Sequence, residues 1–104
     1  MPRSAAPVFA ALGDETRLQL IARLSTGGPL SITKLTAGFP MTRQAITKHL
    51  RVMEQAGLVR SIAQGRESLW QVEAVRFAEA RRHLDRISSR WDERLVRLKR
   101  FVER

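Results

Sequence analysis

The stretch "SITKLTAGFPMTRQAITKHLRVMEQAGLV", residues 31–59, places two helical periodicities within a few residues of each other. Ser31 is a natural N-cap for the first, and Gly38 with Pro40 closes it. Thr42 caps the second, which runs to about Ala56 before Gly57. Two short helices joined by so tight a connection, Gly38 to Met41, make a helix-turn-helix. At roughly 100° per residue, Arg43, Gln44, Thr47, Lys48 and Arg51 share an arc of about 140°. Ala45, Ile46, Leu50, Val52, Met53 and Ala56 take the opposite side. Up to Arg51 the polar face carries three cations and no acid, Glu54 coming only later. A solvated helix usually mixes signs for i,i+4 support, so this face is prepared for a polyanion.

On either side of this core the punctuation is equally clear. "APVFAALGDETRLQLIARLSTGGP" reads as two helices. The first, about Ala5 to Leu12, is expected to bury Val8, Phe9 and Leu12 and to stop at Gly13. Asp14 caps the second, which carries Leu18, Leu20, Ile21 and Leu24 until Gly27-Gly28-Pro29 ends it. After Gly57, two β-prone segments, Leu58–Ala63 and Ser68–Val72, flank "QGRE", where Gly65 supplies the positive φ of a hairpin turn. From Ala74 onward no Gly or Pro occurs, which predicts a helix over about 74–103, roughly 45 Å long. On it Phe77, Ala80, Leu84, Ile87, Trp91, Leu95, Leu98 and Val102 fall within an arc of about 80°. Such a narrow seam suits a coiled-coil-like contact, with the arginines elsewhere on the surface. This stripe has no evident partner in so short a chain. We therefore expect it to be a dimer interface, with Phe77, Leu84, Ile87, Trp91, Leu95 and Leu98 as its members.

A chain of 104 residues allows one domain, 1–104, with a modest core. Its net charge of +9 favours nucleic acid, an anionic membrane surface or an acidic protein as partner. The absence of cysteine excludes disulfides, thiolate metal sites and cysteine nucleophiles, and it fits a reducing cytoplasm. No apolar run approaches a membrane span, and "MPRSAAPVF" lacks the apolar core of a signal peptide. The expectation is a soluble cytoplasmic protein that does not enter membranes.

A helix-turn-helix followed by a basic hairpin is the arrangement of a winged helix. The predicted fold is therefore mainly α with a small β-hairpin: a winged helix-turn-helix with a long C-terminal dimerisation helix. The second helix of the pair fits the major groove of double-stranded DNA, its N-terminal residues at base edges. The Arg43 fork matches guanine O6/N7, and the Gln44 amide matches adenine N6/N7. Thr42, Thr47, Lys48 and Arg51 suit phosphates or a thymine methyl. Arg66 at the hairpin tip would enter the neighbouring minor groove, with Arg60 on its flank.

"LGDETRLQLIARLS", the helix-turn-helix and the hairpin together resemble the ArsR/SmtB family of bacterial winged-helix repressors, over nearly the whole chain. The resemblance implies a homodimer, two recognition helices on a pseudo-palindromic operator, and repression relieved by a signal. Family members often sense metals through cysteines on the third helix or carboxylate and His sets on the last. This sequence departs there: "SITKLTAG" offers no thiolate, and His83, Asp85, Asp92 and Glu93 point to different faces. The terminal "WDERLVRLKRFVE" resembles a metal-independent branch. Neither metal nor cofactor is expected.

Other readings are weaker. His49 falls on the apolar arc between Ala56 and Met53 and reads as a hydrogen-bonded structural histidine. His83 reads as an interface or surface residue, and Trp70 and Trp91 as packing residues. No nucleophile–base pair or Gly-rich phosphate loop appears, so catalysis is not expected. A basic module that binds nucleic acid without sequence preference remains the alternative. For RNA, stacking aromatics are lacking, since Tyr is absent and the four Phe sit at core or seam positions.

Overall fold

The computed structural model describes residues 4–103; residues 1–3 and 104 of the expected single domain lie outside them. Five helices and a three-stranded sheet follow in the order α1 (Ala6–Leu12), α2 (Glu15–Gly27), β1 (Leu30–Ser31), α3 (Ile32–Thr36), α4 (Arg43–Gln55), β2 (Val59–Gln64), β3 (Glu67–Val72) and α5 (Ala74–Val102). The caps sit where local chemistry puts them. Asp14 Oδ2 accepts from the Arg17 backbone N–H at 3.0 Å, Ser31 Oγ from Lys34 at 3.3 Å, and Thr42 Oγ1 from Ala45 at 3.1 Å. Each satisfies one amide that the first turn leaves without a partner.

The turn between α3 and α4 is held from outside. Gly38 has φ +82°, which a side chain would resist. Arg23 of α2 donates to the carbonyls of Leu35 (3.0 Å) and Ala37. Its guanidinium also lies 4.3 Å from the centre of the Phe39 ring. One side chain thus satisfies carbonyls at the end of α3 and braces the loop that aims α4.

β2 and β3 form the hairpin, with Gln64 opposite Glu67 and Gly65 (φ +61°) first in a two-residue loop. The sequence reading lacked β1. This two-residue strand pairs Leu30 with Trp70 and Ser31 with Leu69, giving the sheet order β1-β3-β2. The hairpin is thereby tied to the start of α3 and not left as a free flap.

The core gathers Val8 and Ala11 of α1, Leu20 and Leu24 of α2, Leu35 of α3, Ile46, Leu50 and Met53 of α4, and Leu58, Val59 and Trp70 of the hairpin region. Full burial of one such side chain contributes about 1.5–3 kcal/mol. Two apolar residues of these helices lie outside the core: Leu18 is 50% exposed and Val52 41% exposed. Phe9 and Leu12 are only partly buried, with Ala11 taking the deeper place.

Helix α5 divides into two parts. Its first turns join the core through Ala80 and Phe77, so Phe77, expected at the dimer seam, packs against its own chain. From residue 81 onward every described side chain is exposed. Another expectation also fails, that the α5 arginines stay on the surface. Arg76 is buried, donating to Ala56 O (3.2 Å), Glu79 Oε2 (2.8 Å) and Ser4 O (3.2 Å). A charge can sit inside a protein only when so fully partnered.

Asp14 gives the fold a pH dependence. The Arg17 backbone N–H is the largest influence and, with the nearby Arg17 and His49 charges, it holds this carboxyl below its ordinary range; partial desolvation opposes this and does not win. A depressed folded-state pKa means the cap's contribution is present above the ordinary carboxylate range and is lost as pH falls through the lower value. Asp14→Asn keeps an acceptor but cannot titrate. Its melting temperature should therefore fall less steeply than that of wild type below about pH 4. Superimposable pH profiles would remove Asp14 from the acid response.

Candidate nucleic-acid interface

Between α4 and the hairpin runs a cleft of about 420 Å³. Arg43, Gln44, Thr47 and Arg51 line it from the helix, Ser61, Ser68 and Trp70 from the strands, and Ile32 from α3. The alternation of strand side chains decides the hairpin's share. Ser61, directly opposite Trp70, looks into the cleft. Arg60, one residue earlier and opposite Gln71, lies on the other face. There its Nε is 2.7 Å from Glu73 Oε1. Arg60 was expected beside Arg66 on the DNA-facing flank, and the structure takes it off that face and gives it a carboxylate.

The remaining cations converge. Arg43 Nη2 lies 3.2 Å from Thr33 Oγ1 on α3, so its guanidinium sits at the edge of the groove and not along the axis of α4. Arg66 shares with it an adjoining hollow of about 250 Å³ that also includes Thr33 and Glu67. Arg51 pairs with Glu54 at 2.9 Å, and its guanidinium lies 5.4 Å from the Trp70 ring centre, joining α4 to the hairpin. Trp70 itself is buried, as a packing residue should be. Lys48 is exposed further along α4. Thr42 Oγ1 accepts the cap bond, and Thr47 Oγ1 donates to Arg43 O at 2.9 Å. Among the described residues, the larger cleft is lined by two guanidiniums and no carboxylate. Such a surface attracts anions.

Behind this face α4 is locked in azimuth. His49 lies largely inside, its Nδ1 3.3 Å from Arg17 Nη1 and 3.8 Å from Asp14 Oδ2. The same Arg17 donates to the carbonyls of Ala10 and Ala11, so one side chain joins the end of α1 to the back of α4. Neither Arg17 nor Arg23 drew notice in the sequence. Each lies at the border of an apolar stripe, where a long cation reads as solvated. His83 is exposed, with its ring 5.9 Å from that of Phe9.

Among the described residues no three His, Asp or Glu side chains come together as metal ligands, and no helix is long and apolar enough to cross a membrane.

A family model described as a helix-turn-helix domain matches residues 12–62. The HTH-type transcriptional regulator Rv2034 of Mycobacterium tuberculosis is 34% identical over 85% of this chain and 81% of that protein. An ArsR-like transcriptional regulator from Rhodococcus sp. RHA1 superposes with a TM-score of 0.78 at 38% identity, covering 93% of this chain and 91% of that one. The ArsR family transcriptional regulator RHA00566 does so with a TM-score of 0.75 at 28% identity, over 88% of this chain and 97% of that one. Fold, cation-lined groove and these similarities agree: the chain is a cysteine-free member of the ArsR family of winged helix-turn-helix, DNA-binding transcriptional regulators.

Proposed function

We propose that two copies of this chain bind a pseudo-palindromic operator, one half-site each, and repress transcription until a signal releases them. The observation that carries this reading is the acid-free cleft between α4 and the hairpin. With α4 in the major groove and the hairpin tip at the adjacent minor groove, the cleft straddles the phosphodiester ridge that separates them. Arg43, turned toward Thr33, and Arg51, beside Trp70, then face phosphates. That moves Arg43 from the guanine contact suggested by its position to a backbone contact. Gln44 and Thr47 are left to read base edges, a Gln amide matching adenine N6/N7 and a Thr methyl a thymine methyl. Arg66 would reach the minor groove, and Lys48 a flanking phosphate. Pairing runs through Leu84, Ile87, Trp91, Leu95 and Leu98, all at least 42% exposed in the single chain. Neither catalysis nor a bound metal enters this reading.

Selection from random duplexes tests it. Gln44→Ala should relax preference at one or two base pairs per half-site, at a cost of about 1–3 kcal/mol if the contact is bidentate. Arg66→Ala should weaken all duplexes more evenly. An unchanged base profile for Gln44→Ala would remove Gln44 as a reader. Equal affinity of the wild-type protein for every duplex would favour the alternative, a basic module without sequence preference.

A further inference from the structure

Arg76 is a buried charge for which DNA contact has no use, and its partners span three parts of the chain. Its Nε donates to Ala56 O, the residue that ends α4. Its Nη1 meets Glu79 on α5, and its Nη2 donates to Ser4 O ahead of α1. The aliphatic stem crosses Gly57 so closely that a Cβ there would lie 2.9 Å from Arg76 Cγ. Gly57 also has φ +79°, so that position admits this close approach and little else. At the start of α5, the Glu73 backbone N–H donates to Leu58 O at 2.8 Å. A single attachment is a pivot. A second one, three residues along, fixes a direction.

We propose that Arg76 is a positioning residue that sets the angle between the recognition helix α4 and the dimer helix α5, and thereby the half-site spacing the protein accepts. The inference rests on the dimer reading above. Its leverage follows from length. From Arg76 to Trp91 is 15 residues, about 22 Å of helix. A change of about 10° at the clamp moves the seam by about 4 Å relative to α4, more than the rise of one base pair, about 3.4 Å. A hydrophobic contact alone would tolerate such a rotation, because burial is not directional. The guanidinium's bonds to Ala56 O and Ser4 O resist it, and its bond to Glu79 on the same helix holds the planar group in place for both. Lysine could serve one or two of these acceptors but not all three in their fixed places.

The test uses the full-length protein and a duplex chosen by wild-type selection, with zero to six base pairs inserted or removed between half-sites. Wild type should show a sharp spacing optimum. Arg76→Met should lose at least tenfold at that optimum while keeping wild-type affinity for off-spacing duplexes and the same base preference within each half-site. The chain has no cysteine, so one introduced by Lys48→Cys can carry a spin label on α4 alone. In the DNA-free dimer the label-to-label distance distribution should be narrow for wild type and broad for Arg76→Met. If Arg76→Met does not fold, Arg76→Lys takes its place, with the same flattening expected. An unchanged spacing profile, or a uniform loss at every spacing, overturns the proposal, because a merely structural residue would weaken all spacings alike. A wild-type protein that is monomeric, or that shows no spacing optimum, overturns the dimer reading itself.

Discussion

Trp91→Asp is expected to yield a folded, largely helical monomer that binds its selected operator no better than random duplex. Trp91 is 57% exposed in the single chain, midway along a stripe that includes Ile87 and Leu95. Interface energy concentrates in such central aromatics, and truncating one costs on the order of 2–4 kcal/mol. Aspartate costs more, since two carboxylates must lose their water and face each other near the two-fold axis. The monomer should survive because Trp91 lies outside the core, in a part of α5 where every described side chain is exposed. One winged helix buries only about 600–1,000 Å² of its surface on DNA, so losing the partner removes most of the specific affinity. Sedimentation, circular dichroism and a shift assay check the three parts. A dimeric variant with intact affinity would place the seam elsewhere, and an unfolded one would assign Trp91 to a monomer core the structure does not show.

The second large effect is that of salt. Arg43, Lys48, Arg51 and Arg66 lie on or beside the proposed DNA face. With Arg66 in the minor groove, the other three can neutralise about six phosphates in a dimer, giving a log–log slope of about −5 and a loss of about 10³ in affinity between 50 and 200 mM salt. Arg51 is the weakest of the four because Glu54 already holds it. Lys48→Ala should flatten the slope by about 2 units, one phosphate per protomer. Arg60→Ala should leave it unchanged, because that side chain is paired with Glu73 on the far face of the hairpin. A wild-type slope shallower than about −3 would show that few of these cations meet phosphate. A slope that responds to Arg60 would reverse the assignment of faces.

What could be read from sequence, and what could not, follows the range of the interactions. Asp14, Ser31 and Thr42 each cap an amide three residues on, so their roles are visible within four letters. Gly65 likewise announces its own turn. The two-residue strand at Leu30 is invisible locally because its partner Trp70 lies 40 positions away. Arg60 illustrates a parity problem. Alternation says that Arg60 and Ser61 face opposite ways, but only the docking of the hairpin on α4 says which of them meets the groove. Phe77 lies on the same stripe as Trp91, and periodicity cannot tell where a helix leaves its own core and begins to wait for another. Leu18 and Val52 show the reverse, an apolar letter being no guarantee of a buried place. Arg76 was missed because composition treats a lone arginine as solvated, whereas two of its three acceptors, Ala56 O and Ser4 O, come from segments that meet it only after folding.

If two copies pair through α5 as proposed, its bare outer length would tie the regulator's shape to its own abundance. Nearly 20 residues of exposed helix beyond the Phe9–His83 contact cost backbone entropy that local hydrogen bonds barely offset, so the far turns of a solitary chain should fray. Pairing would restore them, which makes association and the last stage of folding one event. Helix content should then rise with protein concentration over the range where dimers form. Operator occupancy in that range grows as the square of chain number, so halving the supply cuts it about fourfold. A promoter under such control would be released by dilution at cell growth or by proteolysis of a frayed tail, in addition to any chemical signal.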